Sequence, residues 1–264
     1  MKWLVLLLAF LSCTVLAQSA QTPYAKREDV EAFIRQMVDK HHFVEKELKL
    51  LFARARREPA ILAAIVPAKD AKGRSWQAYR GRFVTEGRAA EGAGFWRRNA
   101  ATLARAAEAH GVPEEIIVAI IGVETVYGRQ MGTWRVIDAL STLAFDYAPR
   151  AEYFREELEQ YLLFAREHNL DVFSVKGSYA GAIGIPQFMP GSYRRYAVDF
   201  DGDGTANLRA SEADAIGSVA NFLAKHGWKR GERVLLPARV TSDAHRPLLE
   251  AGLEPMTTLA ELKR

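Results

Sequence analysis

Apolar residues in this 264-residue chain recur mostly at three- and four-residue intervals, the spacing that lines one face of a helix. A mainly α architecture is therefore expected. From residue 28 to about 57, Val30, Phe33, Ile34, Met37 and Val38 set the pattern, and Phe43, Leu48, Leu51 and Phe52 continue it. Pro59 and Pro67 punctuate, and residues 69–94 are polar, Gly-rich and aromatic. Residues 95–110 read as another helix, closed by Gly111-Val112-Pro113. Glu114 and Glu115 then open a strongly apolar helix over 116–127, with acids where a helix N-terminus favours them. Further helices are expected near 136–145, near 150–168 and over 213–225, the last with Ile216, Val219, Ala220 and Leu223 as its buried stripe. Only residues 233–240 read as a strand.

Composition narrows the class. The chain is 49% hydrophobic and 26% charged, with a net charge of +4. That excludes wholesale disorder and a fibrous repeat. A single cysteine excludes a disulfide framework and a Cys-based zinc site. The excess of four positive charges leans only weakly toward an anionic partner, and no nucleic acid partner is expected.

Met1-Lys2, the apolar run of residues 3–11 and the small-residue stretch ending in Ala17 have the form of a secretory signal peptide. The run is about half the length that spans a bilayer. Cleavage after Ala17 is expected, giving an exported, cysteine-free, periplasmic protein. The alternative is an outer-membrane lipoprotein anchored through Cys13, although Phe10 and Leu11 fit that processing poorly.

Two motifs carry chemistry. Glu124 ends the most apolar helix, in Ile120-Ile121-Gly122-Val123-Glu124-Thr125. An unpaired carboxyl in such surroundings holds its proton to higher pH, which is what a general acid at a glycosidic oxygen requires. The competing reading is a carboxylate paired with Arg129 or Arg150, or facing solvent at a helix end. The second motif is Asp199-Phe200-Asp201-Gly202-Asp203-Gly204-Thr205-Ala206-Asn207. Counted from Asp199, carboxylates stand at positions 1, 3 and 5, Gly204 takes the sharp turn at 6, and a carbonyl donor stands at 7. That is the order of an EF-hand-like calcium loop, with a solvated acidic turn as the alternative. Ala210 occupies the twelfth position, where a bidentate acid belongs. The site is thus either weaker than usual or closed by Glu212 or Asp214. Residues 177–191 are glycine-rich and read as backbone open to a ligand or another segment. The many aromatics between Trp76 and Tyr179 could stack on sugars, but each one alone reads as core.

Taken in order, Gly111-Val112-Pro113, the segment from Ile120 to Gly128-Arg129, Ala151-Glu152-Tyr153-Phe154, the stretch from Gly177-Ser178 to Pro190, the Asp-rich loop and Asp214-Ala215-Ile216-Gly217-Ser218-Val219-Ala220-Asn221 resemble the B-type lytic murein transglycosylases, bacterial enzymes that cut peptidoglycan. The resemblance runs from about Val30 to the end. It implies a lysozyme-like helical core, a flanking helical region and an EF-hand-like calcium loop. The implied segments are a signal peptide over 1–17, an N-terminal helical region over 24–100, a catalytic core over 101–198 and a calcium loop, helix and C-terminal segment over 199–264.

By the same resemblance Glu124 is the catalytic acid and base. Tyr79, Ser178, Gln187, Arg150 and Tyr153 bind the glycan strand, and Asp199, Asp201, Asp203 and Thr205 hold structural calcium. No organic cofactor is expected. One carboxyl suffices if the muramyl N-acetyl group acts as internal nucleophile and a 1,6-anhydro ring closes without water. A hydrolytic muramidase and a non-catalytic peptidoglycan-binding protein are the alternatives. Family members generally continue past Leu262-Lys263-Arg264 into an Asn- and Tyr-containing segment beside the cleft, which implies a short variant, a truncated gene or a fragment that keeps the fold.

Overall fold

The structure, a computed structural model, describes residues 23–66, 75–235, 237, 239–250 and 257–262. The expected signal peptide and Cys13 lie outside the described residues. Described residues through Trp228 form one compact unit, and those from Lys229 onward form a second.

The first unit is helical: α1 (Glu28–His41), α2 (Glu45–Arg54), α3 (Pro59–Ile65), α4 (Trp76–Arg80), α5 (Glu86–Arg98), α6 (Ala100–His110), α7 (Glu114–Thr125), α8 (Val136–Asp146), α9 (Ala151–Glu167), α10 (Pro190–Tyr196) and α11 (Glu212–Lys225). The continuous pattern read over 28–57 breaks at His42. Its backbone turns left-handed (φ 56°) to close α1, so Phe43 returns to the core at a new angle. Asn99 likewise separates α5 from α6, and Thr85 caps α5 well before residue 95 by accepting the Arg88 N–H at 3.2 Å.

Two apolar cores form. In the first, α1, α2 and α3 pack against α8 and α9, with Phe33, Phe52 and Phe145 meeting edge to face at 5.9–6.0 Å. Helix α8 is buried from Val136 through Phe145, and two of its polar residues are met from outside: Asp138 accepts the Arg56 N–H at 2.9 Å and Thr142 that of Glu58 at 3.0 Å, while the buried Ser141 hydroxyl has no partner among the described residues. In the second core, Phe95, Leu103, Ile117, Ile121, Ile216 and Val219 join α5, α6, α7 and α11. Helices on both sides of residue 100 thus contribute to each core.

Strands are short. β1 (Trp134–Arg135) pairs antiparallel with β2 (Lys176–Gly177). The strand expected over 233–240 is absent from its described residues, which carry no regular structure. Pro237 lacks the N–H a ladder needs. In the second unit, α12 (Arg246–Glu250) follows a 3₁₀ turn, and α13 (Leu259–Leu262) starts with a reciprocal cap. There Thr258 Oγ1 accepts the Glu261 N–H at 3.3 Å while Glu261 Oε2 accepts the Thr258 N–H at 2.8 Å. Among the described residues no helix is long and apolar enough to cross a membrane.

Candidate active site

Helix α7 buries Ile117, Val118, Ile121 and Thr125 on one side and leaves Val123 and Glu124 on the other. It ends abruptly because Val126 and Tyr127 are both left-handed, at φ 51° and 58°. That geometry is costly for a β-branched valine and needs support from its surroundings. Two contacts supply it. Thr125 Oγ1 donates to the Ile185 carbonyl at 2.7 Å and accepts the Gly128 N–H at 2.9 Å. The Tyr127 phenol is wedged between α5 and α7, so close to Gly122 that a Cβ there would lie 2.5 Å from the hydroxyl.

This turn sets Glu124 in a cavity of about 280 Å³ at the seam of the two cores. Ile120 and Glu124 come from α7, while Val219, Phe222 and Leu223 come from α11. Residues 186–189 and Ser192 form the facing wall. Glu124 is open to this groove, and neither partner considered for it is available. Arg129 pairs with Glu91, and the Arg150 guanidinium lies 4.3 Å above the Tyr153 ring. Among the described residues Glu124 makes no hydrogen bond or ion pair. Glu124 is an exposed residue, yet the apolar walls remove enough water to push its carboxyl above the usual carboxylate range.

Gln187 lines the same groove in a left-handed conformation (φ 53°). Its Nε2 donates to the carbonyls of Gly184 at 2.9 Å and Met131 at 3.2 Å. Both amide hydrogens are thereby spent on acceptors, which leaves Oε1 as an acceptor for a ligand N–H. Ser178 lies in the same glycine-rich stretch without lining the groove. Its Oγ accepts the N–H groups of Ala180 at 3.2 Å and Ala182 at 3.1 Å, so its own proton remains to be donated. Arg150 and Tyr153 sit together at the start of α9, also off the groove lining. Tyr79 is exposed on α4, stacked at 5.8 Å on a still more open Trp76 and 5.2 Å from Phe83. Phe83 in turn lies 5.4 Å from the Arg88 guanidinium, which donates to the Gly122 carbonyl at 3.3 Å. The aromatic stack is thereby tied to the last turn of α7. The apolar wall residues Phe188, Met189 and Phe222 were not singled out from the sequence, and Val219 and Leu223 were read there as buried stripe, because lining and core residues look alike in a linear pattern.

The acidic loop is ordered as its spacing demands. Carboxylate oxygens of Asp199, Asp201 and Asp203 lie within 4.8 Å of one another, all exposed and none ion-paired among the described residues. Gly204, at φ 94°, makes the turn and donates to Asp199 Oδ2 at 2.8 Å. Thr205 donates its N–H to Asp203 Oδ1 at 2.8 Å. Neither candidate closing acid reaches in. Asp214 is fully buried and accepts the N–H groups of Phe200 at 2.8 Å and Asn207 at 2.7 Å. Glu212 is held by Arg98 at 3.1 Å and by Asn99 at 2.5 Å. Three converging, uncompensated carboxylates form a hard-oxygen donor set that suits a divalent cation.

Residues 25–264 match the family described as the transglycosylase SLT domain. Across 248 residues the chain is 42% identical to membrane-bound lytic murein transglycosylase B of Escherichia coli K12, covering 90% of this chain and 67% of the relative. The soluble lytic transglycosylase SltB1 of Pseudomonas aeruginosa superposes with a TM-score of 0.82 at 47% identity, over 89% of this chain and 79% of the other. The Escherichia coli lytic transglycosylase Slt35 in complex with calcium gives 0.73 at 43% identity, over 91% and 78%. The chain belongs to the B-type lytic murein transglycosylases, enzymes that cleave peptidoglycan, and its helical body is their lysozyme-like fold.

Proposed function

We propose that the chain cuts the β-1,4 bond between N-acetylmuramic acid and N-acetylglucosamine and leaves a 1,6-anhydromuramyl end, with Glu124 as acid and then base. The supporting observation is a lone carboxyl, unpaired among the described residues and pushed upward in pKa by its apolar surroundings, facing the groove. Glu124 gives its proton to the leaving glycosidic oxygen while the muramyl N-acetyl oxygen attacks C1. The resulting carboxylate then takes the proton of the 6-hydroxyl, O6 closes onto C1, and the N-acetyl group is released unchanged. Glu124 ends protonated and ready for the next turn, and no water is consumed. A second carboxylate of the kind hydrolases use is unnecessary in this sequence of steps.

Gln187 Oε1 accepts the acetamido N–H, and the Ser178 hydroxyl donates to the muramyl sugar. Tyr79, Arg150 and Tyr153 extend the glycan site beyond the groove. Calcium held by Asp199, Asp201, Asp203 and Thr205 fastens the loop to the start of α11. The relative solved with calcium supports that assignment. Export to the periplasm is inferred from residues 1–17, with anchoring through Cys13 as the alternative, in keeping with a relative named as membrane-bound. The functional core is assigned to residues 101–198, flanked by the helical region over 24–100 and the calcium loop and C-terminal segment over 199–264.

Digestion of purified sacculi followed by mass spectrometry of the muropeptides tests the proposal. Anhydromuramyl ends, one water lighter than reducing ends, are expected. Reducing ends would identify a hydrolase, and no products a binding protein.

A further inference from the structure

Glu157 takes no part in the chemistry above, yet it is a carboxyl sunk to 7% exposure on α9, one turn after Tyr153. Its Oε2 accepts the backbone N–H of Gly191 at 2.7 Å. Gly191 is the second residue of α10. It follows Pro190, which has no N–H, and Met189 provides no side-chain cap. The first free donor of α10 has no partner within its own helix and is met by a carboxylate from another one. Burial pushes that carboxyl up, opposed by the Gly191 amide and then the Arg195 guanidinium. Glu157 and Arg150 both act on the Tyr153 phenol, so the same cluster touches the start of α9.

The groove residues Pro186, Gln187, Phe188, Met189 and Ser192 lie on either side of Gly191. Up to Phe188 this wall is fastened by the Ile183–Phe188 bridge and the Thr125–Ile185 bond. Between Phe188 and Tyr193, the bond from Glu157 is the only side-chain hydrogen bond to the wall's backbone among the described residues. We propose that Glu157 is a positioning residue for the glycan groove, and that its bond to Gly191 holds the 186–192 wall at its working distance from Glu124. The inference rests on the groove being the substrate site.

Steady-state cleavage of soluble, uncross-linked glycan strands, followed by anhydromuramyl ends, tests it with Glu157→Ala, Glu157→Asp and Glu157→Gln. Glu157→Ala loses the bond and Glu157→Asp stops one methylene short of Gly191. Each is expected to raise KM about fivefold or more with kcat changed far less, because displaced walls weaken binding before chemistry. Glu157→Gln keeps an acceptor oxygen and is expected to return KM to within about twofold of wild type. Should Glu157→Ala fail to fold, Glu157→Asp carries the same comparison. A folded Glu157→Asp with wild-type KM overturns the proposal, as does a Glu157→Gln as impaired as Glu157→Asp. Wild-type enzyme that releases neither anhydromuramyl nor reducing ends overturns the groove reading and this inference with it, a result seen before any substitution is made.

Discussion

The Thr125 hydroxyl and the Ile185 carbonyl meet at 2.7 Å, joining the residue after Glu124 to the residue before Pro186. One buried side chain thus ends α7, turns the chain through Gly128 and clips the two sides of the groove at one edge. That hydroxyl helps set the spacing between Glu124 and the wall it faces, alongside the bond from Gln187 to the Met131 carbonyl.

Thr125→Val keeps the volume but strands a buried carbonyl and an N–H. A stability loss of about 1–3 kcal/mol is expected, read as a lower urea midpoint with unchanged slope. Cleavage falls as well, since the groove edge is released.

Glu124→Gln is expected to reduce cleavage to at most a few per cent of wild type while leaving the helical circular dichroism unchanged. The pH dependence follows from the upward shift of this carboxyl. Activity that needs the protonated form falls as pH rises through the raised value. The folded state holds this proton more firmly than the unfolded chain, so the stabilising contribution is whole below the ordinary carboxylate range and is lost as pH climbs through the folded value. Relative to Glu124→Gln, the wild-type Tm is expected to drop progressively over that window, and parallel melting curves at stepped pH will measure it.

Gly122→Ala places a methyl 2.5 Å from the Tyr127 hydroxyl and 2.7 Å from its Cζ. Such crowding in a packed site costs about 1–3 kcal/mol. The displaced ring carries Val126 and the end of α7 with it, so kcat/KM should fall although no groove-lining atom has been removed. Thermal melts and kinetics on one preparation will show both effects.

Calcium is expected to raise Tm because it binds the folded state preferentially, a stabilisation of about 2.7 kcal/mol at a hundredfold excess over Kd. Because Asp214 and Glu212 are engaged elsewhere, the loop lacks its bidentate closing ligand, and the response should need calcium near the millimolar end of the range for such loops. Asp203→Asn should abolish the calcium response and leave the metal-free Tm almost unchanged. Asp214→Asn should lower Tm even without calcium, since its oxygens hold the loop's backbone.

Much of this site was legible because its chemistry is local. Glu124 is conspicuous as a carboxyl in an apolar helix, and the 1, 3, 5 carboxylates with Gly204 announce the acidic loop within nine residues. The longer helices also fell close to their expected places, apart from the breaks at His42 and Asn99, whereas the short α3, α4 and α10 and the first turns of α5 lie where no helix was expected, in stretches whose Pro, Gly and polar content hides the apolar period. What stayed hidden depends on tertiary approach. Nothing near Asp214 in sequence says that its carboxyl is used up by backbone amides, nothing near Thr125 points sixty residues on to Ile185, and Phe188 and Phe222 look like ordinary core until the fold leaves them lining an opening. The strand read over 233–240 failed for the opposite reason, since β-branched residues propose a strand that only a neighbouring edge can stabilise.

Glu124 hangs from one oily mass and much of its opposing wall from the other. Both masses belong to one compact unit, and the Thr125–Ile185 bond ties them at one margin. The width of the slot is therefore a property of how two interiors pack on each other, so a substitution deep in either one can reach the glycan without touching it.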